Sequence, residues 1–375
     1  MTSPIDPAAD ALALEGIRAD ARAAAGQAAP TLVQRIDGGL MGLLLGDAAG
    51  VPYEFKRPTE LPPLDAIDLH PPAGFACTYP AIRPGTWSDD GAQALVLLDH
   101  LLVHDGVEPD ALAAGLLRWY REGFMAVDAH VFDVGGQTAR ALERFAGGVP
   151  AARAAGADEA SNGNGALMRV LPLALWHAAR RGLDAPLAPL VRMAHAQGAP
   201  THGHARSQVA CALACLWAWR LLHGDSSETG WSAAAVALAA HYEADRAEFA
   251  RHADELRLVL GWGAAHRPAG SGYVVDTLWT ARAALADATG FAGVVRSAIA
   301  FGHDTDTTAC VAGGLAGVAF GAGALEARWV AALRGRDLLD PLRARLLALA
   351  AGGPTVPAPM RGGLDAVVRA DRAAG

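Results

Sequence analysis

The chain has 375 residues, 52% of them hydrophobic, so it can bury a sizeable core in one large domain or in two. Its formal net charge of −8 argues against a broad nucleic-acid surface, although a local pocket could still hold a small anion. No long uncharged apolar run and no secretory leader pattern occurs, and the four cysteines form no C-x-x-C pair, so we expect a cytoplasmic protein without a membrane span or disulfides.

Helical periodicity dominates the chain, and alternating strand patterns of useful length are missing. We predict a single compact all-α domain over residues 31–352, with a loose N-terminal extension at 1–30 and a C-terminal tail at 353–375. Long segments rich in proline or glycine at 61–85 and 147–165 are expected to be functional loops. Helices are predicted at 31–46, 92–104, 110–120, 134–145, 167–179, 187–195, 205–222, 231–242, 246–262, 274–286, 291–300, 306–320 and 337–350.

Two of the predicted helices carry small residues at every fourth position. Glycine inside a helix costs about 1 kcal/mol relative to alanine, so such rows need a compensating role. A row of small residues forms a groove that another backbone can approach closely. We therefore predict that these two helices are central and tightly packed, with their ends positioning the acidic residues described next. The rows are Gly38, Gly42, Gly46 and Gly50 in one helix, and Ala309, Gly313, Gly317 and Gly321 in the other.

Two acidic clusters lie more than two hundred residues apart, and each leads into an apolar helical segment. The first is Ser88-Asp89-Asp90, and the second is Asp304-Thr305-Asp306-Thr307. Buried carboxylates repel one another without a counter-cation, and oxygen ligands suit Mg²⁺ or Mn²⁺. Plain helix N-capping would also explain either cluster alone, with Asp306 or Thr305 as cap of the second. Taken together, the clusters predict a dinuclear metal site, provided that the chain is not yet helical at Asp304.

Three further motifs are candidates for the same site. Glu54 follows a helix that Pro52 ends, and it is a candidate acid or base if it faces the metals. The segment 162–168 is a Gly/Asn loop that enters a helix, where free amides favour a phosphate, although an ordinary turn would look similar. His202 lies in Thr-His-Gly-His, whose two histidines are two positions apart, a poor spacing for zinc ligands. His202 could instead bond to a phosphate or a ribose.

As a set and in this order, the motifs resemble the ADP-ribosylglycohydrolase family, an all-α family with two magnesium ions that removes ADP-ribose from proteins. The resemblance runs from Gly38 to Gly321 and rests on G-D-A-A-G-V-P-Y-E, S-D-D, G-N-G-A-L-M-R, T-H-G-H and G-H-D-T-D-T. It implies two Mg²⁺, or Mn²⁺, held by Ser88, Asp89, Asp90, Asp304, Asp306 and Thr307. Glu54, Asp89 and Asp304 would then be the candidate catalytic residues.

The resemblance also implies a substrate site and a substrate. It places the diphosphate and the distal ribose of ADP-ribose against Asn162, Gly163, Asn164, Gly165, Ala166, Met168 and His202. Tyr273 would pack against the nucleotide, as in the bacterial arginine-type members. The partners implied are ADP-ribose and an ADP-ribosylated protein, and not a membrane or a nucleic acid.

The sequence departs from the family pattern at two positions, and two alternative functions remain open. Ser88 stands where the family usually has threonine, and Gly91 replaces a frequent threonine, which puts the fine metal affinity in question. A non-catalytic binder of ADP-ribose or of a toxin is one alternative. The second alternative is a hydrolase of another ADP-ribose derivative, and the negative net charge of the chain disfavours a nucleic acid as its substrate.

Overall fold

The structure, a computed structural model, describes residues 29–261, 266–287 and 289–353. Within these ranges it confirms the all-α prediction, because the regular structure is helical apart from one isolated backbone bridge between Gly163 and Tyr273. The predicted extension at 1–30 and the tail at 353–375 lie almost entirely outside the described residues. The α-helices are α1 Leu32–Gly50, α2 Asp89–His104, α3 Pro109–Glu122, α4 Gly136–Ala146, α5 Ala151–Ala154, α6 Leu171–Arg181, α7 Leu187–Gly198, α8 Ala205–Leu222, α9 Ser227–Glu243, α10 Arg246–Val259, α11 Val274–Asp287, α12 Phe291–Ala300, α13 Thr305–Phe320, α14 Ala327–Ala332 and α15 Arg336–Ala350.

Several predicted helix boundaries are wrong for local reasons. The sixth helix begins at Leu171 and not at residue 167, because the amides of Leu167 and Met168 fold back onto the carbonyl of Asn164 in a tight turn. The second begins at Asp89, with Ser88 as its N-cap, so both aspartates lie in its first turn. The short helices α5 and α14 were not predicted, because four to six residues carry too little periodicity.

The helices α1 and α13 run antiparallel through the centre with the two rows of small residues facing each other. A Cβ atom added at Gly38 would overlap the carbonyl oxygen of Gly317, and one added at Gly46 would overlap that of Ala309. The predicted close packing is therefore present. As a result of this packing, the C-terminal end of α1 lies against the N-terminal end of α13.

A shell of apolar side chains surrounds this central pair. Leucine, valine and alanine fill most of it, and its largest fully buried side chains are tryptophans. Arg343 of α15 pairs with Asp37 of α1 at 2.5 Å and so ties the last described helix to the first. In the described part of the chain, each helix is too short or too polar to cross a bilayer. The buried tryptophans include Trp87, Trp119, Trp176, Trp217 and Trp329.

Candidate active site

The second acidic cluster lies at the junction of α1 and α13. Gly50, the last residue of α1, packs so closely against Asp306 that a Cβ atom would overlap the Asp306 Cα. Asp304 occupies the N-cap position with φ −94° and ψ 72°, so the chain is not helical there. This is the condition under which Asp304 and Asp306 can point to one place. The cap prediction was wrong in detail, because neither Thr305 nor Asp306 is the N-cap residue.

Glu54 supplies the cap that the side chain of Asp304 does not. Its Oε2 atom accepts hydrogen bonds from the backbone N–H of Thr305 at 2.6 Å and of Asp306 at 3.2 Å. The Pro-rich loop at 61–85 binds the backbone of this glutamate, because the hydroxyl of Thr78 donates to the Glu54 carbonyl oxygen. Glu54 is thus buried against the positive end of α13. The sequence predicted it as a candidate acid or base near the metals, but not as the cap of α13.

Carboxylates from the different segments converge. One oxygen atom each from Glu54, Asp304 and Asp306 lies within 4.8 Å of the others, an arrangement that could hold a metal ion. The first cluster joins through hydroxyl groups, because Thr307 Oγ1 donates to Asp90 Oδ2 at 3.3 Å and Ser88 Oγ donates to the same oxygen at 3.2 Å. The two clusters therefore meet, as the sequence predicted, and Asp89 lies beside Asp90 in the same turn.

Burial and mutual repulsion act on the carboxylates of the acidic centre. Burial raises the pKa of Asp89, Asp90 and Asp306 well above the usual range, and neighbouring carboxylates raise it further. Burial also raises the pKa of Glu54 to about 8, with Asp304 as the next cause. Among the described residues, Asp90 Oδ1 and Asp306 Oδ2 are buried without a hydrogen-bond partner. Unpartnered carboxylate oxygens beside hydroxyl groups fit a hard divalent cation, so the residues present suit magnesium or manganese.

Asp47, a residue without a predicted role, organises the first cluster. Its carboxylate accepts hydrogen bonds from the backbone N–H of Ser88 at 2.9 Å and from that of Gly91 at 2.7 Å. It thereby fixes the start of α2 to the glycine-rich end of α1. Burial raises its pKa to about 7 despite these donors. The sequence contains a signal for this role, because a charged residue inside an apolar, glycine-rich helix needs a polar partner.

Asp133 was also missed. It lies in the loop before α4 with φ 57°, in the left-handed region that non-glycine residues seldom adopt. Its charge helps to raise the pKa of Asp89, Asp304 and Asp306, so it faces the same acidic centre. An isolated aspartate in a loop has no distinguishing pattern in the sequence. Only the fold brings it to the site.

The Gly/Asn loop lies directly beside the acidic centre. Asn164 Nδ2 donates to Asp304 Oδ2 at 2.8 Å and to Thr277 Oγ1 at 2.9 Å. The loop pairs with the segment before α11, where Asn164 N–H donates to the carbonyl of Gly272. The amides of Gly165 and Ala166 donate to no acceptor among the described residues, so they are the loop amides that remain for an anion.

Below the loop lies a buried arginine, Arg169. Its guanidinium donates to the carbonyl of Gly165, to Gln197 and to Thr201, and it also donates to Gln93 at 3.0 Å. Gln93 in turn donates to Asp89 Oδ2 at 3.0 Å. One chain of hydrogen bonds therefore runs from the loop to the first acidic cluster. Arg169 ends the G-N-G-A-L-M-R motif, but its position in the sequence does not predict this network.

His202 packs beneath the loop. Its Nδ1 atom is 2.8 Å from Thr201 Oγ1, and its Nε2 atom lies against the faces of Gly163 and Gly165, where a Cβ atom would be 3.5 Å and 3.3 Å away. Burial, together with the charge of Arg169, lowers its pKa to about 3. The imidazole is therefore neutral at physiological pH, so it can contribute a hydrogen bond and not a positive charge.

Tyr273 borders the loop on its outer side and is held by an arginine. Arg206 donates to the Tyr273 hydroxyl at 3.1 Å, and the same guanidinium binds Glu255 at 2.7 Å and Glu159. Arg206 is buried, whereas Tyr273 is only partly buried. The ring is thus fixed in orientation while part of it stays accessible beside Gly163, with which Tyr273 forms the isolated bridge.

Fold and site together define a helical enzyme domain with a candidate metal centre, and the comparisons give its family. The family model described as ADP-ribosylglycohydrolase matches residues 28–355. The chain therefore belongs to the ADP-ribosylglycohydrolase family. This confirms the resemblance found in the motifs and the enzyme class that it implied, a glycohydrolase.

Individual relatives agree with this assignment. The chain is 26% identical over 320 residues to the ADP-ribosylarginine hydrolase Tri1 of Serratia proteamaculans, which covers 85% of this chain and 80% of that protein. It is 27% identical to the ADP-ribosyl-[dinitrogen reductase] glycohydrolase of Rhodospirillum rubrum, over 81% of this chain and 92% of that protein. A solved structure titled as an ADP-ribosylglycohydrolase-related protein complex superposes with a TM-score of 0.64 at 32% identity, covering 85% of this chain and 98% of that one.

Proposed function

We propose that this protein is a metal-dependent hydrolase that cleaves the glycosidic bond between ADP-ribose and an arginine side chain of a modified protein, releasing ADP-ribose. The observation that carries the proposal is the convergence of Glu54, Asp304 and Asp306 on one point, with unpartnered buried oxygens beside it. The Gly/Asn loop adjoins this point through the bond from Asn164 to Asp304. Acidic residues that could hold metal ions, next to a loop with free amides, match the distal ribose and the adjoining diphosphate of an ADP-ribosyl group.

The ligands proposed for two Mg²⁺ ions, or Mn²⁺ ions, are those of the two clusters. Asp90 and Asp306 carry the unpartnered oxygens. Thr307 links the two residues, because its hydroxyl donates to Asp90 Oδ2 and its backbone N–H donates to Asp306 Oδ1. When bound, such ions orient ribose hydroxyls and stabilise charge that develops at the sugar. The complete set is Ser88, Asp89, Asp90, Asp304, Asp306 and Thr307.

Three carboxylates are candidates for moving the proton at the anomeric centre: Glu54, Asp89 and Asp304. Cleavage through a cation-like sugar requires a protonated leaving group and an activated water. Glu54 has a pKa of about 8 and can therefore hold a proton near neutral pH. Asp304 is half-buried, so it is the most accessible of the three. Its hydrogen bond from Asn164 fixes its orientation toward the loop.

The substrate would lie across the loop. The amides of Gly165 and Ala166 are proposed to meet the diphosphate, with His202 Nε2 below them. Asn162 and Asn164 shape the loop through bonds to Ser207 and Thr277, while Gly163 and Met168 complete it. Tyr273 is proposed to pack against the nucleotide. Its fixed ring and accessible face support that role.

Arginine as the acceptor residue is proposed from the name of the Serratia relative. The modified protein is then the partner of this chain, and the four cysteines, all free, fit the reducing cytoplasm proposed as its location.

The test is a release assay with two substrates, one protein ADP-ribosylated on arginine and one on serine, each with Mg²⁺, with Mn²⁺ and with a chelator. We expect release from the arginine substrate that needs the metal. The variant Asp306→Asn should be inactive, and Asp254→Asn, an exposed residue of α10, should match wild type. Tight binding of ADP-ribose without turnover would support a non-catalytic binder. Turnover of neither protein but of a free ADP-ribose derivative would support the other alternative.

A further inference from the structure

A group of side chains that could hold a metal ion shares no residue with the acidic site. His195 lies on α7, and Glu248 and His252 lie on α10. One ligand atom of each lies within 4.8 Å of the others. Glu248 and His252 are four residues apart and so share a face of their helix. Their side chains line a surface cavity of about 340 Å³.

One carboxylate oxygen beside His252 has no hydrogen-bond partner. Glu248 Oε2 is buried and unpartnered among the described residues, and it lies 2.9 Å from His252 Nδ1, which is also 3.2 Å from the Glu248 carbonyl oxygen. His252 Nε2 lies 3.0 Å from the side-chain amide of Gln208. With the imidazole proton on Nε2, the Nδ1 lone pair and Glu248 Oε2 are both free for a metal ion bound between them.

His195 also has a ring nitrogen available for an ion. Neutral imidazole is the form that binds metal ions. His195 Nε2 bonds to the Tyr242 hydroxyl at 3.0 Å, which leaves Nδ1 for an ion. A hydrogen bond from the second nitrogen to a neighbouring acceptor is the usual support of a histidine ligand.

The donor set indicates the kind of ion. Two imidazole nitrogens and one carboxylate suit a borderline transition-metal ion better than Mg²⁺, which prefers oxygen. Arg192 and Arg251 also line the cavity, so an anion or a hydroxide would be favoured in the open coordination position. We propose that His195, Glu248 and His252 form a second metal site, for Zn²⁺ or a similar ion, which fastens α7 to α10.

The experiment uses the full chain with the acidic site disabled by Asp90→Asn and Asp306→Asn together. Zn²⁺ is titrated by calorimetry, and Co²⁺ is titrated by its visible absorption, which is stronger for a tetrahedral site with nitrogen ligands than for an octahedral oxygen site. We expect one ion per chain. Adding Glu248→Gln or His195→Asn should weaken binding by about tenfold or more. Adding His70→Asn, an exposed histidine, should leave it unchanged.

A stability measurement keeps the test decisive if a histidine variant folds poorly. Zn²⁺ should raise the melting temperature of the disabled chain and should have a smaller effect on the chain that also carries Glu248→Gln. Glu248 is partly exposed, so this isosteric change should not unfold the protein. Absence of Zn²⁺ binding to the disabled chain, or full affinity retained by Glu248→Gln, would overturn the second site. Neither result bears on the glycohydrolase proposal.

Discussion

Glu54 accepts a hydrogen bond of 2.6 Å from the backbone N–H of Thr305, and the Thr305 hydroxyl donates to the same oxygen at 3.1 Å. A residue beyond the end of α1 thus caps α13, the helix packed against α1. The same carboxylate lies beside Asp304 and Asp306, two of the proposed metal ligands. The Glu54 carboxylate therefore both caps α13 and forms part of the site, so its substitution should affect both stability and activity.

Substitution of Glu54 should separate these two effects. Glu54→Gln keeps an acceptor for Thr305 but loses the charge, whereas Glu54→Ala leaves buried N–H groups without a partner. We expect both variants to lose most hydrolase activity, and the alanine variant to be less stable than the glutamine variant by about 1–3 kcal/mol. Denaturant melts and ADP-ribose release measure the two effects. Glu60→Gln, at an exposed position, is the control. Equal stability of the two variants would contradict the capping role.

Asp47 is predicted to control metal affinity without binding the metal itself. An amide in its place loses one of the two acceptor oxygens, and its NH₂ group would face the N–H of Ser88 or of Gly91. Asp47→Asn should lower the affinity for Mg²⁺ by about tenfold, as changes to residues that orient metal ligands commonly do. Asp37→Asn, ten positions earlier on the same helix and paired with Arg343, should keep the wild-type affinity. Unchanged Mg²⁺ affinity in Asp47→Asn would show that the hydrogen bonds to α2 are dispensable.

The contact between α1 and α13 should not tolerate a methyl group. Gly46→Ala places a Cβ atom onto the Ala309 carbonyl, which is backbone and cannot rotate away. We expect a loss of about 1–3 kcal/mol or more, the usual range for overpacking. Gly323→Ala is the matched control, since nothing lies within 4 Å of the added atom. Urea denaturation measures both, and a Gly46→Ala variant as stable as the control would contradict the described packing.

The metal-free protein should lose stability as the pH rises. Glu54 has an ordinary pKa of 4.5 and a folded pKa of about 8, so between these values the folded state binds more protons than the unfolded state. The free energy of unfolding therefore falls as pH increases through that interval. Mg²⁺ competes with those protons, so its affinity should increase over the same range. Thermal melts from about pH 5 to about pH 8, with Mg²⁺ and with a chelator, measure this, and identical pH profiles would contradict it.

Arg206 is predicted to act on substrate binding through Tyr273. Arg206→Met removes the hydrogen bond to the tyrosine hydroxyl and frees the ring to rotate. We expect KM to increase by roughly tenfold with a smaller change in kcat, since the acidic centre is not touched. Arg257→Met, an exposed residue paired only with Asp254 among the described residues, is the control. A fall in kcat at constant KM would show that Arg206 does not act by holding Tyr273.

The sequence predicted those features that repeat or cluster along the chain. The glycine rows predicted the close pairing of α1 and α13, and the two acidic clusters predicted that Asp90 and Asp306 would meet. Single residues whose role depends on the fold were missed. Asp47, Asp133 and Arg169 act across 41 residues or more in the bonds that were measured, or through charge alone, and no local spacing encodes such contacts. Helix starts were misplaced where a turn precedes the helix, as at Leu167.

The most direct test of the central claim is a crystal structure with ADP-ribose and Mn²⁺, with the ions located by anomalous scattering. We predict ions bound by Asp90 and Asp306 between the two clusters, the distal ribose on those ions, and the diphosphate at the amides of Gly165 and Ala166. Ions located away from both aspartates, or ADP-ribose bound outside the Gly/Asn loop, would contradict the account.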